Sequence, residues 1–134
     1  MHQIIYMSSL VTPDLEVLRD IVAKSIKNNK RNDITGMMIY SDGNIVQAIE
    51  GKKDAVNEIF SHILVDMRHV GIHVVLEEKV DRRDFEAWSF GFKHIKKSEI
   101  EKWDLKGDLF KAGDKEIGAR VRRGAALTVL KSFA

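Results

Sequence analysis

Two β-rich runs, Ile34 to Tyr40 and Asn44 to Glu50, face each other across Asp42-Gly43. Asp-Gly between β-type runs is the strongest short-range hairpin signal a sequence carries, because a two-residue turn needs positive φ at its centre. That hairpin constrains what flanks it. Upstream, Ile4-Ile5-Tyr6-Met7 is a short β-type run. Thr12-Pro13-Asp14 then reads as a helix start, with Thr12 as N-cap and Pro13 in the first turn. Leu15, Leu18, Val22, Ser25, Ile26 and Asn29 follow at helical spacing and define an inward face. Downstream, Val56, Ile59, Phe60, Ile63 and Met67 form the stripe of a second helix, whose end is expected near His62 and His69. Gly71 opens a strand over Ile72 to Val80, and a last strand-like run covers Phe85 to Phe92.

The order is β-α-β-β-α-β with one more strand. This is an α+β, ferredoxin-like pattern: one antiparallel or mixed sheet with two helices on one face. Lys97 to Trp103 and Lys115 to Ser132 read as helices, and the bare second face of the sheet is the simplest place for them. The chain thus divides into a unit of residues 1–95 and a C-terminal helical extension, 96–134, with no linker or repeat that argues for more.

Composition removes several classes of chemistry. No cysteine is present, which excludes disulfide scaffolds, thiolate-held metals and thiol catalysis. Twenty-two Lys and Arg against twenty Asp and Glu leave a net charge of +2, too mild to demand a nucleic-acid or membrane partner. No run approaches the ~20 apolar residues that span a bilayer. The expected location is the cytoplasm. His69 and His73 are four apart but straddle Gly71, so no shared helix face offers them to a metal.

The informative residues are polar ones in apolar phase. Ile45, Gln47 and Ile49 share a strand face by period two, so Gln47 is a carboxamide between two isoleucines. A buried amide must find partners, since an unmade hydrogen bond costs about 1–3 kcal/mol. Tyr6 shares a face with Ile4, and Ser25 and Asn29 sit on the buried stripe of the first helix. Taken singly, Tyr6 reads as a buried ring with a solvated hydroxyl, and Asn28-Asn29 as a helix C-terminus. Arg68-His69 reads as a helix C-cap. Trp88, Phe90 and Phe92 share parity and by default belong to the core. Gln47 resists such an account, because nothing in a sheet requires a glutamine there.

The segments together closely resemble the BLUF domain, a blue-light sensor that uses flavin (FAD). The resemblance runs from about Gln3 to Phe92. It rests on six motifs in order: Ile4-Ile5-Tyr6-Met7-Ser8; Ser25 to Asn29; Ile34-Thr35-Gly36-Met37-Met38-Ile39-Tyr40; Val46-Gln47-Ala48-Ile49-Glu50-Gly51; Asp66-Met67-Arg68-His69; and Phe85-Glu86-Ala87-Trp88-Ser89-Phe90. The resemblance implies a flavin ring between the two helices, with Tyr6 as the light-reactive tyrosine and Gln47 bridging it to the ring. It implies that Asn29 bonds the ring edge, with Ser25 and Asn28 close by, and that His62, Arg68 and His69 lie near its pyrimidine end. Lys30 and Arg31 are expected at the phosphates. Where the family usually has Met, two residues after the tryptophan, this chain has Phe90, which has no sulfur to accept a weak hydrogen bond.

The function implied is a short, stand-alone photoreceptor, not an enzyme. Light would rearrange the Tyr6–Gln47–flavin hydrogen bonds, and the change would pass to an unknown protein partner or to a homo-oligomer. The alternative is a flavin- or nucleotide-binding regulatory module of the same fold without photochemistry. Two further rivals are weaker. An acylphosphatase-like enzyme needs a Gly-rich anion loop where this chain has Leu10-Val11-Thr12-Pro13, and an RNA-binding domain needs an aromatic pattern that strand one lacks.

Overall fold

The computed structural model describes residues 1–86, 89–96 and 130. Its elements are β1 (His2–Leu10), α1 (Leu15–Arg31), β2 (Thr35–Ser41), β3 (Asn44–Gly51), α2 (Lys53–Val65), β4 (His69–Lys79) and β5 (Gly91–His94). The sheet runs β4-β1-β3-β2-β5, antiparallel throughout except for β5, which lies parallel to β2. Each β-α-β crossover skips one strand and returns on the same side, which leaves both helices on one face.

The Asp42-Gly43 turn forms as expected, with φ of 50° and 84°, the positive pair a twisted two-residue hairpin requires. Other elements shift from their expected bounds. Asp14, not Thr12, caps α1, its carboxylate accepting from the Glu16 backbone N–H at 2.8 Å. An anion in that position also suits the positive end of the helix dipole. Leu18 and Asn29 are the buried residues of α1, while Leu15 and Ile26 are exposed. The buried arc of α1 is thus narrower than the apolar spacing suggested. Met67 is 89% exposed, because α2 ends at Val65 and the chain turns away before reaching it.

His69 is the first residue of β4 and not part of the second helix. The strand starts before Gly71 because the glycine sits inside it, at φ 65°, where the β1–β4 register shifts between Met7 and Ser9. A second shift between Ile5 and Tyr6 breaks the alternation, and Val75 and Leu76 are consecutive buried residues there. The Phe85–Phe92 run is not one strand. Phe85 is buried outside any strand, the strand begins only at Gly91, and Phe92 is 38% exposed. Trp88 and the expected C-terminal helices lie outside the described residues, apart from Leu130.

Period two sorts the core into two faces. Ile5, Met7, Met37, Ile39, Val46 and Ala48 point away from α1 and α2 and pack with Val75, Leu76, Phe85, Ile95 and Leu130. Leu130 is helical and fully buried in that cluster. Under the helices the apolar residues split in two. Val56 and Ile59 of α2 pack on Ile4, Ile34 and Ile49, and Leu18 of α1 packs with Leu10, Met38, Tyr40 and Ile45. Between these clusters the sheet presents Tyr6 and Gln47.

Candidate functional site

A cavity of about 430 Å³ occupies the gap between the clusters. That lies within the roughly 300–1,000 Å³ common for small-molecule sites. Its walls are apolar: Ile21, Met38 and Ile45 toward α1, Ile59 and Ile63 from α2. Its polar groups include Tyr6, Gln47, Ser25, Asn28 and Asn29, with Lys24, His62, Asp66 and Arg68 also lining it.

Tyr6 and Gln47 are directly opposite across the β1–β3 ladder, and each is 2% exposed. Cross-strand partners hold their Cβ atoms about 5 Å apart. The Tyr6 hydroxyl donates to Gln47 Oε1. This corrects the bland account of Tyr6 alone, since its hydroxyl is not left to solvent. With Oε1 so occupied, the donor end of the carboxamide, Nε2, has no hydrogen bond among the described residues. A glutamine can hold both roles at once, acceptor at one end and donor at the other.

Burial, reinforced by the Asp66 charge, raises the Tyr6 phenol well above its ordinary range. The folded protein therefore keeps this proton when an unfolded chain would lose it. The sign of the linkage follows. Below about pH 10 the phenol is neutral in both states and contributes no pH dependence; above it, the unfolded chain ionises first and stability falls. An alkaline titration followed by tyrosinate absorbance should show Tyr6 ionising only together with unfolding. With the second tyrosine removed in Tyr40→Phe, a separate tyrosinate step in the folded protein would contradict that assignment.

Asn29 is 1% exposed at the end of α1, and its Nδ2 donates to the Ser89 backbone carbonyl at 3.0 Å. The helix does not end at Asn28-Asn29. It runs to Arg31, and Asn32 is the cap, with its backbone N–H and side-chain Nδ2 both directed at the Asn28 carbonyl. Ser25 and Asn28 line the cavity beside Asn29.

His69 also lines the cavity, but both ring nitrogens are engaged. Its Nε2 faces the Ile63 carbonyl at 2.8 Å and so must carry the proton, which leaves Nδ1 to accept from Ser8 Oγ at 2.9 Å. The imidazole fixes the end of α2 to β1 and stands edge-on to Tyr6, ring centroids 6.4 Å apart. Phe60 covers another side of Tyr6 at 5.7 Å. Arg68 grips Asp66 with contacts of 2.9 and 2.6 Å, and that hydrogen bonding lowers the Asp66 carboxyl to about 2 despite partial burial. Helix-end capping holds for His69, whose ring bonds the Ile63 carbonyl in the last turn of α2, while Arg68 pairs with Asp66, the C-cap residue. His62 is exposed at the cavity.

Lys30 and Arg31 are exposed at the end of α1, outside the lining of the cavity. Lys24 lines the cavity in their place. A signal for it existed. Ile21, Lys24, Ser25 and Asn28 recur at i, i+3, i+4 and i+7, a helical stripe offset from the apolar one. Ile59 and Ile63 were legible as core positions but not as cavity walls.

These residues fit a flavin. Apolar side chains from both helices and the sheet, with carboxamides and hydroxyls among the lining, complement a ring that is apolar over its faces and polar along one edge. Gln47 Nε2 and the Asn29 carboxamide would offer hydrogen bonds to such an edge.

The family of sensors of blue-light using FAD, BLUF, matches residues 1–91. The chain is 32% identical over 80 residues to a photoactivated adenylate cyclase subunit beta from Euglena gracilis, 56% of this chain but 9% of that protein. It thus spans about a tenth of the length of the curated relatives it matches. Among solved structures it resembles BlrB, a BLUF protein in its dark state, with a TM-score of 0.71 and 29% identity, over 93% of this chain and 95% of that one. The fold is also that of BlsA in its photo-activated state, with a TM-score of 0.74 and 24% identity over 94% of each chain. A family match over two thirds of the sequence, on a fold that brings Tyr6, Gln47 and Asn29 into one cavity, places the chain in the BLUF family of flavin-using blue-light sensors.

Proposed function

We propose that Tyr6 and Gln47 are the light-switched pair of this sensor, that FAD is the flavin bound, and that the output is a change in protein contacts and not catalysis. The observation that carries this is the Tyr6 hydroxyl donating to Gln47 Oε1 at the floor of the slot, with both side chains shielded from water. Bound in the slot, a flavin supplies blue-light absorption and, once excited, a strong oxidising potential.

The chain's own groups supply the rest. Tyr6 is an oxidisable ring whose proton already rests on an acceptor. Gln47 is the element with two states. Rotation of its carboxamide exchanges which end faces Tyr6 and which faces the cavity; a shift to its imidic tautomer leaves the ends in place and exchanges their donor and acceptor roles. A glutamate there would carry charge into an apolar slot, and a leucine would relay nothing. Asn29, with Ser25 and Asn28, holds the ring edge. Lys24 and Arg68 are cations lining the cavity, and that charge suits a phosphate-bearing flavin better than riboflavin. Such a switch is a local hydrogen-bond change that biases a larger two-state element. Residues 1–95 act as the sensing unit and the segment from 96 onward as the output element, meeting the far face of the sheet at Leu130. The receiver is a partner protein or a second copy of the chain.

The test is the absorption spectrum of the purified, FAD-loaded protein before and after blue light. A reversible red shift is expected. A protein that binds flavin and shows no shift would favour the non-photoactive module, and one that takes up no FAD would remove the flavin assignment.

Phe90 packs on the wall cluster beside Leu18, Met38 and Ile45. A phenyl ring is stiffer than methionine and offers no acceptor to a rotated Gln47. Phe90→Met should therefore leave the red shift in place and change the lit-state lifetime several-fold, followed as dark recovery of absorbance. An unchanged lifetime would contradict this role.

A further inference from the structure

The face of the sheet away from the slot holds a second polar cluster, centred on Glu50. This carboxylate is fully buried and accepts from four donors: Gln3 Nε2 at 3.0 Å, Thr35 Oγ1 at 3.1 Å, and the backbone N–H groups of Asp84 at 2.9 Å and Phe85 at 2.6 Å. Three strands and the β4–β5 connection therefore meet on one side chain. Arg83 braces the cluster, donating to Thr35 Oγ1 at 2.9 Å and to the Asp33 backbone carbonyl at 2.9 Å. Backbone N–H groups aimed at an ionised carboxylate make stronger bonds than neutral pairs do.

The same connection has a second tie. The Ser89 carbonyl accepts from Asn29, within the slot, and Phe90 packs on the slot wall. Its two ends lie on opposite faces of the sheet. Phe85 belongs to the cluster with Ile95 and Leu130, Phe90 to the one with Leu18 and Ile45. Glu50 and Gln47 are three residues apart on β3, so they project to opposite faces of one strand. Glu50 thus fixes the start of the connection at Asp84 and Phe85, while its end at Ser89 and Phe90 leads directly into β5 at Gly91.

We propose that Glu50 is a positioning residue for the output: its carboxylate is the fixed pivot of the β4–β5 connection, so that a hydrogen-bond change at Gln47 and Asn29 arrives at the far face as movement of β5. The source of that change rests on the proposed light switch; the pivot itself does not. Glu50→Gln keeps the side-chain shape but sets an NH2 group against donors that need an oxygen.

The experiment compares amide hydrogen exchange in darkness and under blue light in the FAD-loaded full chain. The readout is the Ile95 amide, which donates to the Tyr40 carbonyl beside β5. In the unaltered protein, light should change exchange there. In Glu50→Gln the absorption shift should keep its size while the light-dependent difference at Ile95 falls at least two-fold. A full-size difference in that variant, or loss of the absorption shift with it, would overturn the proposal. Should Glu50→Gln not fold, Thr35→Val removes one of the four donors and should give a smaller reduction with the shift intact; an unreduced difference overturns the proposal there too. If the unaltered protein shows no red shift, the switch fails. The pivot is then judged by dark exchange at Asp84 and Phe85, expected at least ten-fold faster in Glu50→Gln and overturned by equal rates.

Discussion

Tyr6→Phe should abolish the light-induced red shift and leave the flavin bound. The variant keeps the ring that packs against Phe60 and His69 and removes only the hydroxyl that donates to Gln47. With no phenolic proton on the carboxamide, nothing in the floor of the slot drives the amide to exchange its ends. The expected loss is complete, or at least ten-fold in amplitude. Flavin affinity should change by less than about 1.4 kcal/mol, a factor of ten, because the apolar walls and Asn29 are untouched. Light-minus-dark absorbance and a flavin titration on the same sample separate the two quantities. Loss of flavin with the shift would mean that Tyr6 holds the cofactor and does not switch it.

The second large effect is Gln47→Leu, which should also abolish the shift with flavin retained. Its consequence for stability differs from that of Tyr6→Phe. Leucine replaces a carboxamide between Ile45 and Ile49 with a matching apolar group, yet strands the buried Tyr6 hydroxyl without its acceptor. A stranded buried polar group costs about 1–3 kcal/mol, whereas removing both partners of a bond is close to neutral. The double variant Tyr6→Phe/Gln47→Leu should accordingly be more stable than the sum of the single losses predicts, with a coupling on the order of 1 kcal/mol. Denaturant unfolding of the four proteins measures it. Strict additivity would show that the two side chains do not share a bond in solution.

Much of this site was legible because sheet geometry has a period of two. Gln47 stands out since its neighbours at i−2 and i+2 are isoleucines, and Tyr6 since it alternates with Ile4 and Ser8. The hairpin at Asp42-Gly43 then fixes β3 between β1 and β2, which sets Tyr6 opposite Gln47. Other features have no such local signature. His69 looked like the end of a helix because the glycine that follows it suggests a strand start, but that glycine is an irregularity inside β4. Lys24 and not Lys30 reaches the cavity because α1 presents a face rotated from its apolar stripe, and that rotation is set by packing on the sheet. Glu50 was invisible as a cluster centre. Its donors come from positions 3, 35, 84 and 85, and only the folded strand order brings them together.

The Asp66–Arg68 pair gives the acid side of the pH profile. With Asp66 lowered to about 2 by Arg68, its contribution to stability is present above the ordinary carboxyl range. It is lost only as pH falls from about 4 toward 2.

The most direct measurement is a light-minus-dark infrared difference spectrum with isotope-labelled glutamine side chains. The chain has only Gln3 and Gln47, so the origin of a labelled band can be fixed with Gln3→Leu. A carboxamide band that moves on illumination and persists in Gln3→Leu is the predicted result. Glutamine bands that stay still while the flavin band shifts would show that Gln47 does not change its hydrogen bonds, and the switch would have to lie elsewhere.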